Sequence, residues 1–325
     1  MKAKIEHSLH FISERCDRLE GFMIFHSLLE DAGCELGLAF HEVVSKFYGN
    51  KFCINFPIFE TNSPSDHDHQ ILNQVLSTIY LQKHSNMVIP IELGSLNYKI
   101  VSDLDESNNI QDIGYELISE IAFMLTMPLR RRFLQSMNIS SLINKLMDND
   151  SLKFISSNMY PLVNQDKRNI DDSMVAQQTL INPSFGSGNF NNNASYKNLI
   201  IYEGLLSPNT RDNIHKFLRV MNNDTLNSKN GFHTTSIIYF NPFTIPLMKG
   251  IETQISNRML FCGNSTAILT LFRQLLSRFN MKSPCHNLEF LKCDNRNEMI
   301  SRRHYFNKIT EDIIQSYEGM IAKTN

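Results

Sequence analysis

The sequence predicts an α/β fold: a partial Rossmann-like parallel sheet, then a long core helix, a second α+β unit and a C-terminal helical hairpin. Three observations carry this. In the first third of the chain, short apolar runs of strand length alternate with segments of helical period, the pattern of a parallel sheet covered on both faces. An unbroken helical pattern then runs over Asp112–Leu129. From Leu152 the texture changes to short strands and helices, and the chain closes on two amphipathic segments.

Each element follows from spacing. Ile5, Leu9, Ile12 and Cys16 recur at helical intervals, so the chain opens on a helix. "GFMIFHSL" (Gly21–Leu28) is a strand, and Leu36–Phe47 an amphipathic helix with Leu36, Phe40, Val43, Val44 and Phe47 on one face. "KFCINFPIF" (Lys51–Phe59) is the second strand, Ile71–Tyr80 marks a helix, and "MVIPIEL" (Met87–Leu93) is the third strand. In the core helix Ile113, Leu117, Ile121, Met124 and Leu125 share the buried side, with Pro128 at its end. "LKFISSNMYPL", "NLIIYEGLL" and "FHTTSIIYF" read as strands of the second unit, around a helix over Thr210–Met221. The closing helices are Thr266–Phe279, with Asn264 or Ser265 as N-cap, and roughly Arg302–Ile321. The expected domains are residues 1–105, the core helix 106–130, an intermediate unit 131–263 and the hairpin 264–325.

Composition excludes several function classes. With 31 basic and 33 acidic residues the formal charge is −2, so no basic stripe for nucleic acid stands out. No run of about 18 apolar residues exists for a membrane span. The six cysteines lack CxxC spacing and fit a reduced, cytoplasmic protein. The Asn-rich "GSGNFNNNASYKN" (186–198) reads as a surface loop.

Three segments, in order, resemble one family. "CDRLEGFMIFHS" is similar to the tubulin stretch C-x-x-L-Q-G-F-x-x-x-H-S that leads into the glycine-rich signature. "GNSTAILTLFRQLLSRF" resembles the tubulin S-N-T-T-A-I helix, and "NLIIYEGLLSPNTRDNIHKFL" the strand–turn–helix L-L-Y-R-G-D-V-x-P-x-D-V. "SKFYGNKFCINFPIF", "LQKHSNMVIPIEL" and "YPLVNQDK" follow the same family, with α-tubulin the nearest branch. The resemblance implies that residues 1–105 are a remnant of the tubulin nucleotide-binding domain. Met1 falls in the helix before the signature strand, so the chain is expected to be N-terminally truncated, and Gly21–Leu28 to form an apolar sheet edge that a partner covers. The mixed-charge last helix, with no acidic tail after it, leads us to expect poor recruitment of motors.

The resemblance also locates a nucleotide site, and the residues there contradict its use. Phosphate loops depend on glycines, whose backbone N–H groups approach the oxygens, often at a helix N terminus. The family's G-G-G-T-G-S-G falls on Leu29, Glu30, Asp31, Ala32, Gly33, Cys34 and Glu35; only Gly33 matches a glycine. A carboxylate about 4 Å from a phosphate charge costs about 4 kcal/mol at an effective dielectric near 20. Two such contacts cancel the roughly 8 kcal/mol with which a micromolar ligand binds. A divalent cation bridging Glu30, Asp31 and the phosphates is the way around this. Elsewhere the family's ribose-binding glutamate aligns with Gln70 and its guanine-reading asparagine with Leu93. The stacking tyrosine and second asparagine align with Gln111 and Tyr115, with Asn108 or Asn109 as substitutes. The loop after the core helix, where the family's catalytic acid stands, reads "SMNISSLINKL"; Asn138 matches its asparagine, but Ser140, Ser141 and Ile143 supply no general base.

The expected function is that of a structural or interaction protein of the microtubule cytoskeleton, a tubulin-like subunit or assembly partner without catalytic, cofactor or metal residues. Its partners would be tubulin or tubulin-like subunits and microtubules, with no nucleic acid or membrane. The alternatives are a working subunit that binds GTP and Mg2+, and a degenerate product without a fold of its own. Other features have plainer readings. His67, Asp68 and His69 lack third and fourth ligands and suit a solvated helix N terminus. Arg130, Arg131 and Arg132 suit a helix C terminus, or contact with an acidic partner, and Cys285, His286 and Cys293 are a weak metal pattern.

Overall fold

The computed structural model describes residues 1–61, 68–96, 110–130, 137–147, 150–160, 172–181, 195–204, 211–212, 214–216, 232–240, 257–281 and 296–323. Helix α1 (Lys2–Ser13) leads into β1 (Gly21–Ser27), α2 (Asp31–Phe47), β2 (Phe52–Phe59) and α3 (Asp68–His84). Two short strands follow, β3 (Met87–Val88) and β4 (Ile91–Glu92), and then the core helix α4 (Ile110–Arg130). The second half comprises α5 (Ile139–Leu146), β5 (Ser156–Tyr160), α6 (Asp172–Ile181), β6 (Ser195–Glu203), β7 (Phe232–Phe240) and β8 (Arg258–Ser265). It ends with α7 (Leu269–Met281) and α8 (Arg296–Lys323).

The first sheet is parallel, in the order β1-β2-β3, with β4 also pairing β2. The expected strand over Met87–Leu93 is therefore two strands. Pro90 interrupts it because proline has no N–H to donate to a ladder. Between them the Ile89 N–H still donates to the Asn55 carbonyl at 2.8 Å. Among the described residues β1 pairs with β2 alone, so its other edge is open, and Phe25 is 40% exposed although its ring stacks on Phe56 at 4.1 Å. The second sheet, β5-β8-β6-β7, is antiparallel except for the parallel β6–β7 pair.

Among the described residues one parallel bridge, Val88 to Phe154, joins the sheets. On one side α4 and α5 bury Ile121, Met124, Leu125, Leu142 and Leu146 against Ile54 and Phe56 of β2 and Leu199 and Leu260 of the second sheet. On the other side α7 and α8 bury Phe272 and Tyr317 against Leu28, Phe59 and Phe154. The Tyr317 hydroxyl accepts from the Phe154 N–H and donates to the Phe154 carbonyl, both at 2.7 Å, which locks the last helix onto the bridge residue between the sheets. Ser265 is the N-cap that starts the closing pair, through its bond from the Ala267 N–H into a short 3-10 turn before α7. Helix α2 begins at Asp31, five residues before the expected start, and of the expected apolar face Val43 and Val44 are buried while Leu36 and Phe47 are 43% and 46% exposed. The expected loop has been taken into the helix, with Asp31 favoured in its first turn by the helix dipole.

Candidate functional site

The junction of β1 and α2 is the candidate site, at the carboxyl ends of the parallel strands. Strand pairing persists one residue past Ser27, as the Leu28 N–H donates to Ile58 O at 3.0 Å. Leu28 is fully buried beside Phe59, so the turn is pinned from below by apolar packing. The Leu29 N–H donates to Ser27 Oγ at 3.1 Å. Glu30 then takes the N-cap position with extended backbone but makes no side-chain cap bond. Its carbonyl accepts the first helical bond, from Cys34 N at 2.9 Å.

The side chains there close the turn on itself. Asp31 Oδ1 accepts from Asn73 Nδ2 of α3 at 2.7 Å. Cys34 is buried, with Sγ 3.0 Å from Ser77 Oγ; burial raises its pKa and the neighbouring Asp31 and Glu35 add to this, so it is a packed thiol and not a nucleophile. Glu30, Asp31, Ala32 and Glu35 are exposed, and Leu29 is half-buried. Gly33 lets the first turn of α2 approach the strand end: a Cβ there would lie 3.0 Å from Ser27 O. Gly37 is tighter still, because the His26 ring lies against it, with Nδ1 2.2 Å from where a Cβ would stand. The charged side chains exposed at this helix start are the carboxylates of Glu30, Asp31 and Glu35.

The other expected positions are spread along the same sheet end. Gln70 is half-buried in the first turn of α3, and Leu93 is half-buried immediately after β4. Gln111 and Tyr115 lie in α4, their side chains outside the described residues, as are Asn108 and Asn109. A residue that sequence reasoning passed over organises this end. Glu92 is buried, its Oε1 accepting from Thr61 N at 2.8 Å and its Oε2 from Ser95 N at 2.5 Å. Thr61 Oγ1, with one proton to give, lies 3.1 Å from Glu92 Oε1 and 3.0 Å from Gln274 Oε1 of α7. Arg278 of α7 donates to the Glu60 and Thr61 carbonyls. The signal in the sequence was one acidic residue ending an apolar strand, which does not reveal partners that far along the chain.

At the opposite end of the sheet, Asn138 caps α5 by accepting from Ser141 N at 2.7 Å. A carboxylate does reach this helix start. Glu20, from the entry to β1, accepts from Ile139 N at 3.3 Å, with Arg18 Nε 3.9 Å away. Ser140, Ser141 and Ile143 contribute no acid. Arg130 caps its own helix, donating through Nη2 to Phe123 O at 2.8 Å and through Nε to Thr126 Oγ1 at 3.1 Å. Arg131, Arg132, His67, Cys285, His286 and Cys293 lie outside the described residues, as do the side chains of Asp68 and His69. Among the described residues no group of three or more His, Cys, Asp or Glu side chains is placed to hold a metal ion, and no helix is long and apolar enough to cross a membrane.

No family model matches the chain. It is similar to curated tubulins. It is 27% identical over 198 residues to the tubulin gamma chain of Candida albicans, covering 58% of this chain and 39% of that protein. It is 25% identical over 170 residues to the nucleomorph tubulin alpha chain of Guillardia theta, covering 51% and 37%. Against the tubulin alpha-2B chain of Physarum polycephalum the identity is 24% over 179 residues, covering 53% and 39%. The matched stretch thus spans about two-fifths of the length of these relatives.

Proposed function

The chain is a divergent member of the tubulin superfamily, and from that premise we propose that it is a structural subunit or assembly partner of the microtubule cytoskeleton that neither binds nor hydrolyses GTP. One observation carries the second half of this reading. The turn that should cradle phosphates is a helix start whose exposed charged side chains are Glu30, Asp31 and Glu35, over a fully buried Leu28. Carboxylates already occupy the positive end of the α2 dipole, and an incoming triphosphate would be repelled where it should be bound. For catalysis, Asn138 and Glu20 are engaged in holding the start of α5. The partners on this reading are tubulin or tubulin-like subunits in the cytoplasm, with the open edge of β1 covered in the assembled state. Residues 1–105, 106–130, 131–263 and 264–325 would act as nucleotide-domain remnant, core helix, intermediate domain and closing hairpin.

Titration calorimetry of the purified chain with GTP, with and without magnesium, tests the proposal. No heat at tens of micromolar is expected in either condition. Micromolar binding that needs magnesium would overturn it in favour of a GTP-binding subunit in which a cation bridges Glu30 and Asp31 to the phosphates.

A further inference from the structure

A cleft of about 570 Å3 opens between α1 and the C-terminal end of α2, within the range of about 300–1,000 Å3 typical of ligand sites. It lies where the chain enters β1 and β2, at the opposite end of the strands from the β1–α2 turn. Leu19, Phe47 and Tyr48 give it an apolar floor. Most of its polar lining is already matched. Tyr48 Oη meets Ser13 Oγ at 2.9 Å, and His10 Nε2 stands 3.5 Å from Glu14 Oε1. Lys46 holds its ammonium 4.9 Å from the centre of the Phe47 ring, which is still 46% exposed. Two lining charges are left over. Among the described residues neither the Glu6 carboxylate nor the Lys51 ammonium has an ion-pair or hydrogen-bond partner.

A smaller cleft of about 220 Å3 shares Leu19 and Lys51 with the first. Its other charges answer each other, with Arg18 Nε 3.9 Å from Glu20 Oε1, while Asn50 and Ser140 offer neutral polar groups. Lys51 therefore stands where the two clefts meet, and Glu6 in the larger one alone. Their separation follows from the helix. The Lys51 N–H donates to Tyr48 O at 2.8 Å, so Tyr48 and its partner Ser13 mark the Lys51 side. Glu6 lies two turns before Ser13 on α1, about 10 Å along the axis. An amino acid, with both charges on one carbon, is too short to reach both. A peptide of about three residues, at about 3.3–3.6 Å each, spans that distance between its ends. We propose that the groove is a peptide site, which takes a short peptide with free ends. Its ammonium meets Glu6, its carboxylate meets Lys51, and a central aromatic side chain lies on Leu19, Phe47 and Tyr48. Nothing in this site uses the β1–α2 turn, so it stands or falls separately from the preceding proposal.

The tripeptide Gly-Trp-Gly is the probe. The chain contains no tryptophan, so indole fluorescence reports the peptide alone. Titration with the protein should give a saturable blue shift that weakens as salt is raised. Acetyl-Gly-Trp-Gly lacks the ammonium and Gly-Trp-Gly-amide lacks the carboxylate. Each should bind about three- to fivefold more weakly, the range of an exposed ion pair, and free tryptophan more weakly again. Glu6→Gln should erase the difference between the parent peptide and its acetylated form while keeping that from the amide. Lys51→Gln should do the reverse. Neither side chain is paired within the fold, so circular dichroism of both variants should be unchanged. No saturable binding at millimolar peptide, equal affinity for charged and blocked peptides, or variants that weaken every probe alike would each overturn the proposal.

Discussion

His26 and Gly37 show how one side chain can hold a sheet and a helix at a fixed distance. The imidazole is buried under α2, and neither ring nitrogen has a hydrogen-bond partner, while the adjacent Gly33 backbone lies outside bonding geometry and offsets only part of the burial. A methyl at position 37 would overlap the ring, so Gly37→Ala should cost about 1–3 kcal/mol in urea unfolding. Burial holds the pKa of His26 down to about 4. His41 is also held near 4, by burial first and then by His84, and its nitrogens lie 3.3 Å from Ser45 Oγ and 3.2 Å from Ser85 Oγ. Both bind a proton more weakly in the fold than in the unfolded chain, whose value is 6.5. The unfolded state therefore takes up protons first, and stability falls as pH drops from about 6.5 through 4. Full protonation removes about 3 kcal/mol per histidine. Urea midpoints at successive pH values should show this slope, and His41→Gln should flatten it. At this scale the sequence singled out the unusual run Leu29–Glu35. It was silent on Glu20, Glu92 and His26, whose importance lies in what distant segments bring beside them.

Elements are tied to one another by few but deeply placed polar groups. Arg258 at the start of β8 donates to Glu203 Oε2 of β6 at 2.9 Å and to Glu120 Oε2 of α4 at 2.6 Å, joining the second sheet to the core helix. The Glu203 side chain is 1% exposed and that of Glu120 37%. Arg258→Ala would strand the Glu203 carboxylate, and a loss of about 3–5 kcal/mol is expected. Glu120→Ala, which removes the wetter partner, should cost at most about 1 kcal/mol. Thermal melts of the two variants check the contrast, and equal losses would show that the triad does not act as described. Asn138→Ala should cost about 1 kcal/mol by uncapping α5, read in the same melts. Helices and strands with clean periodicity were legible: α1, β1, β2, α3 and α4 lie where spacing put them. Helices α5 and α6 were missed because they are short and their apolar residues are mixed with Ser, Asn and Gln. Strand β8 was missed because it ends in Gly263, Asn264 and Ser265, of which Asn264 or Ser265 reads as the cap of the following helix until the neighbouring strands β5 and β6 are present to pair with it.

Across the described residues, the two sheets and the two helical layers form a connected body whose first strand pairs on one side alone. Hydrogen exchange followed by mass spectrometry should find β1 exchanging faster than β2, which is paired on both sides. Protection of β1 equal to that of β2 in the isolated chain would mean that its open edge is already covered.

The clasp between Tyr317 and Phe154 also has a meaning for how the molecule is made. Its two residues are 163 positions apart, and the bridge from Thr61 to Gln274 spans 213. A ribosome adding about 5–20 residues per second needs on the order of 10–40 s to travel from the first of these partners to the second. Throughout that interval the β1–β2 layer has emerged without the helices that cover its Leu28 and Phe59 side. Production of this protein should therefore depend on chaperones that hold an early, half-finished sheet, and should suffer first when translation is fast and chaperones are scarce.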